Sequence, residues 1–266
     1  MEKIKLLREK TGAGMVACKK ALDEANGDIE KAVELLRKKG IAKAAKRGER
    51  ETTEGVIKLA VNNDGNEASI LQLNSETDFV SKNEKFQNLA DDLMKLVIDN
   101  KPSNLEELLS LPMETSTTKE VIDNFSGTIG EKLVLKNFEI IHAGEATASA
   151  YSHAGGRIGS VVLFDKKIDN DLARDIAMQV AAANPAYVSP EEVPQEEIDK
   201  EKEIYTEQLK KEGKPEQIIE KILVGKINKY YEEICLMKQE YIKDDKKKIE
   251  DVLGDAKVVK FIRYSL

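Results

Sequence analysis

The hydrophobic period changes at Gly55, and that change confines the chain to folds that mix helix and strand. Before it, apolar residues recur at steps of three and four: Ile4 and Leu7, then Met15, Cys18, Leu22 and Ala25, then Ile29, Ala32, Val33 and Leu36. Such spacing places each set on one face of a helix. After it, Val56, Lys58 and Ala60 alternate with Ile57, Leu59 and Val61, the period of a strand. Thr11-Gly12-Ala13-Gly14 separates the first two helices and Gly27 the next two. Asp28 is placed to cap the third helix and Gly40 to close it. A bundle of roughly 40 residues has a thin core, so its partners are expected to add stability.

Beyond the switch, Asn63-Asp64-Gly65-Asn66 reads as a turn built on the Asp-Gly hairpin dipeptide, with the returning strand at Ala68–Leu73. A helix follows with Phe86, Leu89, Ala90, Leu93, Leu96 and Val97 on one face, and Ser81 and Glu84 stand at capping-box spacing before it. Residues 100–136 are helical in character and broken by Pro102, Pro112 and Gly127. Strand signals return at 138–141, 147–153 and 157–164, and a helix then carries Leu172, Ile176, Val180 and Ala183. Hairpin-then-helix therefore occurs at 55–98 and again at 147–184, which we read as two related α+β halves with mainly antiparallel strands. Pro190–Pro194 marks a boundary. Charged helices at 195–211 and 215–231, with Gly213 and Pro215 between them, make an antiparallel hairpin. VVKFIRY is a final strand.

Composition narrows the function. The chain has 266 residues, enough for about two domains, and no apolar run near the roughly 18 residues of a membrane span. The charged, amphipathic N-terminus lacks the apolar stretch of a signal peptide. With only Cys18 and Cys235 there is no disulfide framework, and a reducing, cytoplasmic setting is expected. His142 and His153 are the only histidines, so zinc-ligand spacing does not occur and no metal or cofactor is expected. Residues 1–50 carry 14 Lys+Arg against 8 Asp+Glu, and the remainder 28 against 41. A basic module on an acidic body is not a nucleic-acid coat. The stretch Arg37–Arg50 has two readings: a solvated helix end or linker, or a contact with RNA, the ribosome or an acidic surface.

No catalytic constellation emerges. Neither histidine lies in a nucleophile motif, Cys18 falls on an apolar face, and there is no phosphate loop. Gly155-Gly156-Arg157-Ile158-Gly159 joins two strands, whereas a dinucleotide fingerprint lies between strand and helix. The unusual stretch is Thr77-Asp78-Phe79-Val80, an aromatic beside a charge where a strand hands over to a helix. Phe79 either caps the core or is an exposed anchor for another protein. The residues alone support an α+β binding module, with a covalent catalyst the weaker rival.

Four segments carry a resemblance. LREKTGAGMVACKKALDEANGDIEKAVELLRKKG at 6–40, TDFVSKNEKF at 77–86, YSHAGGRIGSVVLF at 151–164 and KPEQIIEKILVGKINKY at 214–230 closely resemble, in order and spacing, signatures of the elongation factor Ts family. The resemblance implies a ubiquitin-associated-like three-helix domain at 1–43 and a basic linker at 44–54. It also implies a two-part α+β core at 55–140 and at 141–190 with 232–266, and an inserted helical hairpin at 191–231. It implies a guanine-nucleotide exchange factor for elongation factor Tu, with no covalent chemistry and no bound nucleotide or cofactor. By the same resemblance Thr77, Asp78, Phe79 and Val80 dislodge Mg²⁺ from the GTPase, with Phe79 as wedge. Arg8, Met15 and Val16 touch a helix of the same domain, Val16 standing where Met is more usual. His153, Gly155, Gly156 and Arg157 match a turn near the partner's distal domain. Gln239-Glu240-Tyr241 stands where a Gln-Pro-Phe-like triplet is common. Some members continue past the equivalent of KFIRYSL into a helical module that embraces the partner, and that contact is expected to be absent here.

Overall fold

The computed structural model describes residues 1–11, 13–45 and 47–266. Gly12 of the first break and Lys46 of the basic stretch lie outside the described residues, as do the side chains of 41–45 within that stretch. The helices α1 (Glu2–Thr11), α2 (Met15–Glu24) and α3 (Ile29–Ala45) enclose Leu7, Cys18, Ala21, Leu22 and Ala32. Asp28 caps α3 as expected, its carboxylate accepting from the N–H groups of Glu30 and Lys31. Met15 departs from its apolar stripe. It is the first residue of α2, with no preceding turn to cover it, and is 59% exposed.

Gly40 does not close α3, which runs on to Ala45. The reason is packing. Gly40 lies against Gly127 of α7 (Thr118–Ile129), so closely that a Cβ at Gly127 would meet the Gly40 Cα at 2.4 Å. Gly127 likewise sits inside a helix that was expected to break there. Without side chains at the crossing, α3 and α7 approach through their backbones, and charged contacts frame the approach. Arg37 reaches Ser116 and Glu120, and Arg47 donates to the Ser126 carbonyl at 3.1 Å.

The rest of the chain forms two three-stranded antiparallel sheets of identical plan. In the first, β1 (Glu54–Val61) and β2 (Glu67–Ser75) form the hairpin. The chain then passes through α4 (Asp78–Ser81), α5 (Glu84–Asn100), α6 (Leu105–Ser110), the small hairpin β3 (Pro112–Met113) and β4 (Ser116–Thr117), and α7. Strand β5 (Val134–His142) then returns beside β2. In the second, β6 (Ala148–His153) and β7 (Ile158–Phe164) are followed by α8 (Asn170–Ala183), and β10 (Val258–Ser265) returns beside β7. Ser81 and Glu84 do not form the expected capping box. Ser81 belongs to α4, and Asn83 caps α5 by accepting from the Lys85 N–H.

Strand alternation explains the layers. Val56, Leu71 and Leu73 face α5, where they meet Phe86, Leu93 and Val97. Ile57, Ala68 and Ile70 face the other way and meet Ala148, Val161 and Ile262 of the second sheet. Val162 and Phe164 point on to α8. The order is helix, sheet, sheet, helix, and both faces of both sheets are apolar.

Between α8 and β10 the chain inserts α9 (Gln195–Lys211) and α10 (Glu216–Ile234), followed by β8 (Glu240–Tyr241), β9 (Asp244–Lys248) and α11 (Ile249–Leu253). At the root of the α9–α10 hairpin, Glu197 accepts from the hydroxyls of Tyr187 at 2.7 Å and Tyr230 at 2.5 Å. Gln239 is buried against Gln179, and Tyr241 donates to Asp175 at 2.6 Å, so the Gln-Glu-Tyr triplet is bonded into the second half.

Two outcomes follow. Gly127→Ala forces α3 off α7 at a cost of about 1–3 kcal/mol, read as faster amide exchange in α3; Gly225→Ala, where a Cβ meets nothing within 4 Å, is neutral or stabilising. The bonds from Tyr230 and then Tyr187 hold the Glu197 carboxyl below its ordinary 4.5. Their contribution is present above that value and is lost as pH falls through the lower folded value. The protection of α9 amides, taken relative to their intrinsic exchange rate at each pH, therefore falls on acidification, and this acid-dependent component is absent in Glu197→Gln.

Candidate functional site

Strand β2 delivers the chain to Glu76 and Thr77, and α4 is a single turn beyond them. Thr77 is its N-cap residue, with extended backbone (φ −125°, ψ 158°), yet its side chain caps nothing. The Thr77 hydroxyl donates instead to Glu131 Oε1 at 2.6 Å, and the Thr77 N–H donates to Glu131 Oε2 at 3.0 Å. In the opposite direction, the Lys132 N–H donates to Glu76 Oε1 at 2.6 Å. Inside the turn, the Ser81 hydroxyl donates to the Asp78 carbonyl at 3.1 Å. Lys82 pairs with Asp78 at 2.7 Å and holds that carboxyl below the usual range.

On this pinned turn neighbouring side chains part company. Val80 packs into the first core with Val56, Leu71 and Phe86, and Ser81 is buried beside it. Phe79 is 85% exposed. An aromatic left in water on a turn this firmly tied is not filling its own core. Of the two readings of Phe79, the buried cap is thereby excluded.

Arg8 on α1, and Met15 and Val16 at the start of α2, are all exposed, Val16 at 71%. They share the outside of the three-helix bundle. In the second half, the Tyr151 hydroxyl lies 3.2 Å from His153 Nδ1, and both His153 and Gly155 are exposed. Gly156 is buried at φ 88°. A Cβ there would meet Val56 Cγ2 at 2.9 Å, and its carbonyl accepts from the Ile57 N–H at 2.7 Å. Gly156 thus joins the second hairpin to β1. Arg157 pairs with Glu54 at the start of β1. The bond and charge of Glu54, and more weakly the charge of Asp78, raise the guanidinium further above its ordinary value. The structure therefore brings the end of the Gly-Gly-Arg turn toward the Thr77–Val80 turn, a proximity the sequence did not signal.

Among the described residues of the basic stretch, the cationic side chains are engaged within the molecule. Arg37 pairs with Glu120, Lys38 with Glu34, Lys39 with Glu24 and Arg50 with Glu76, while Arg47 holds a carbonyl of α7. Cys18 and Cys235 are buried, and desolvation first, then the nearby glutamates, pushes the Cys235 thiol up to about 11. Among the described residues no group of three or more His, Cys, Asp or Glu side chains is placed to hold a metal ion, and no helix is long and apolar enough to cross a membrane.

Sequence reasoning missed Glu54, Glu76 and Glu131. Glu131 lies 54 residues from Thr77, and nothing local marks it except its place just after the left-handed Gly130 that ends α7.

These features define an α+β protein whose candidate site is a projecting surface and not a cleft. A family model described as elongation factor Ts matches residues 76–266, well over half of the chain. The chain belongs to the elongation factor Ts family. That membership carries the role of nucleotide exchange factor for elongation factor Tu, a role without covalent chemistry.

The exposure of Phe79 has a direct consequence for stability. Phe79→Ala changes unfolding free energy by less than about 0.5 kcal/mol, whereas Phe86→Ala, fully buried in the first core, costs about 3–5 kcal/mol. Denaturant titration of the two variants checks both.

Proposed function

We propose that this protein releases GDP from elongation factor Tu by displacing the Mg²⁺ that helps hold the nucleotide, with Phe79 as the displacing group. The single observation that carries the reading is a phenyl ring 85% exposed on a turn whose backbone is bonded at both ends. Burying such a ring in a partner is worth about 1.5–3 kcal/mol. Because the turn is already ordered, little of that is lost to immobilising it. The energy is spent on opening a nucleotide site built from Mg²⁺ and backbone N–H groups. Every 1.4 kcal/mol removed from that site is a factor of ten in nucleotide affinity. Reciprocity then requires nucleotide to weaken factor binding equally, so incoming GTP expels the factor.

In this proposal Thr77, Asp78 and Val80 shape the turn. Arg8, Met15 and Val16 on the 1–43 bundle make a second contact with the GTPase. His153, Gly155, Gly156 and Arg157 form the third partner-facing group, in which Gly156 acts by joining the hairpin to β1. The 191–231 hairpin is a separate module on the 55–190 and 232–266 core, and the setting is the cytoplasm, where translation takes place.

The test is stopped-flow release of a fluorescent GDP analogue from elongation factor Tu. Phe79→Ala is expected to slow stimulated release about tenfold, the equivalent of one buried ring at the lower end of its range. Wild-type release by that variant overturns the role of Phe79.

A further inference from the structure

We infer that Glu131 is a positioning residue for exchange: through its two bonds to Thr77 it sets the direction in which Phe79 leaves the α4 turn. The inference rests on the reading of Phe79 as the displacing group.

A threonine at the N-cap ordinarily turns its oxygen to the N–H groups of its own helix. Thr77 does not, and both its hydroxyl and its backbone N–H are directed to one carboxylate. Bonds to a charged acceptor are roughly twice as strong as neutral ones, and two on one residue fix its orientation as well as its place. The backbone that carries this carboxylate is itself anchored. Gly130 turns the chain at the end of α7 with φ 93°, and the Ser126 hydroxyl donates to the Glu131 carbonyl at 2.6 Å. The reciprocal bond from the Lys132 N–H to Glu76 makes this a two-way clasp between residues 76–77 and 131–132.

The clasp also reaches the N-terminal segment. Glu76 pairs with Arg50, and the Lys132 ammonium donates to the carbonyls of Gly48 and Arg50 at 2.7 and 2.8 Å. Glu131 follows directly on the end of α7, the helix on which α3 rests at Gly127. The bundle bearing Met15 and Val16 and the turn bearing Phe79 are thus referenced to the same helix end. Phe79 is two residues from the clasp and has no packing of its own, so its aim is set by the clasp on the side before it and by the buried Val80 and Ser81 on the side after it.

The experiment titrates full-length factor against elongation factor Tu loaded with fluorescent GDP, and separates the maximal release rate from the half-saturating concentration. Glu131→Ala is expected to lower the maximal rate about tenfold, the scale of losing hydrogen bonds to a charged group. The half-saturating concentration should move by no more than about twofold, since the Glu131 bonds do not touch α1 or α2, which carry Arg8, Met15 and Val16. Glu131→Gln, which keeps one acceptor, falls between, as does Thr77→Val, which loses only the hydroxyl. Combined with Phe79→Ala, Glu131→Ala should add no further loss, because it acts through that ring.

If Phe79→Ala alone releases GDP at the wild-type rate, the underlying reading fails and the inference with it. If Phe79→Ala is slow but Glu131→Ala is normal, changes only the half-saturating concentration, or adds its full factor in the double variant, the positioning role is overturned while the reading of Phe79 stands. Should Glu131→Ala fail to fold, Glu131→Gln and Thr77→Val, alone and with Phe79→Ala, decide the same question.

Discussion

Everything in the core hangs on the apolar layer between the two sheets. A three-stranded sheet with one helix on its back cannot bury its other face alone, and here each sheet solves the problem for the other. Ile57, Ala68 and Ile70 on one side meet Val161 and Ile262 on the other. A Cβ at Gly159 would approach Ile57 Cγ2 to 2.6 Å, so the layer is closed tightly enough to specify a residue without a side chain. This contact carries the first turn beyond β2 and the turn between β6 and β7 toward each other. The charge of Asp78 is consequently felt by Arg157, although the two belong to different halves.

Exchange of a bound nucleotide asks a protein to hold something costly in readiness. An exposed aromatic is unfavourable in water, and a mobile one would lose part of its binding energy on being ordered. The turn at Thr77 meets both demands. Val80 and Ser81 anchor it from below, and hydrogen bonds fix its backbone, which leaves Phe79 with no use inside its own molecule. On the proposed reading the division of labour is local: Val80 serves stability and Phe79, one position before it, serves recognition.

Much of this architecture was legible from periodicity. The change of period at Gly55, the repeated hairpin-then-helix order and the stop signals around Gly27 and Asp28 all rest on local rules, and the elements fall where those rules put them. What escaped was what depends on distant approach. Gly40 and Gly127 read as punctuation because glycine usually is, yet here each makes room for the other across a helix crossing. Ser81 and Glu84 have the spacing of a capping box, but the extra turn of α4 consumes Ser81 and hands the cap to Asn83. In the candidate site, Thr77–Val80 stood out by composition and the outward face of Phe79 was one of two open readings. Its tether to Glu131 was invisible, since a carboxylate among 49 acidic residues announces nothing until the fold selects it.

The root of the α9–α10 hairpin has a geometric consequence. Helix α10 has 19 residues, a span of about 28 Å at 1.5 Å per residue. Over such a length a rotation of about 5° at the base sweeps the far end through about 2.5 Å, nearly the diameter of a water molecule. Two phenols sharing one carboxylate therefore act as the fulcrum of a lever, and small rearrangements around Tyr187 are magnified where the two helices turn back on each other.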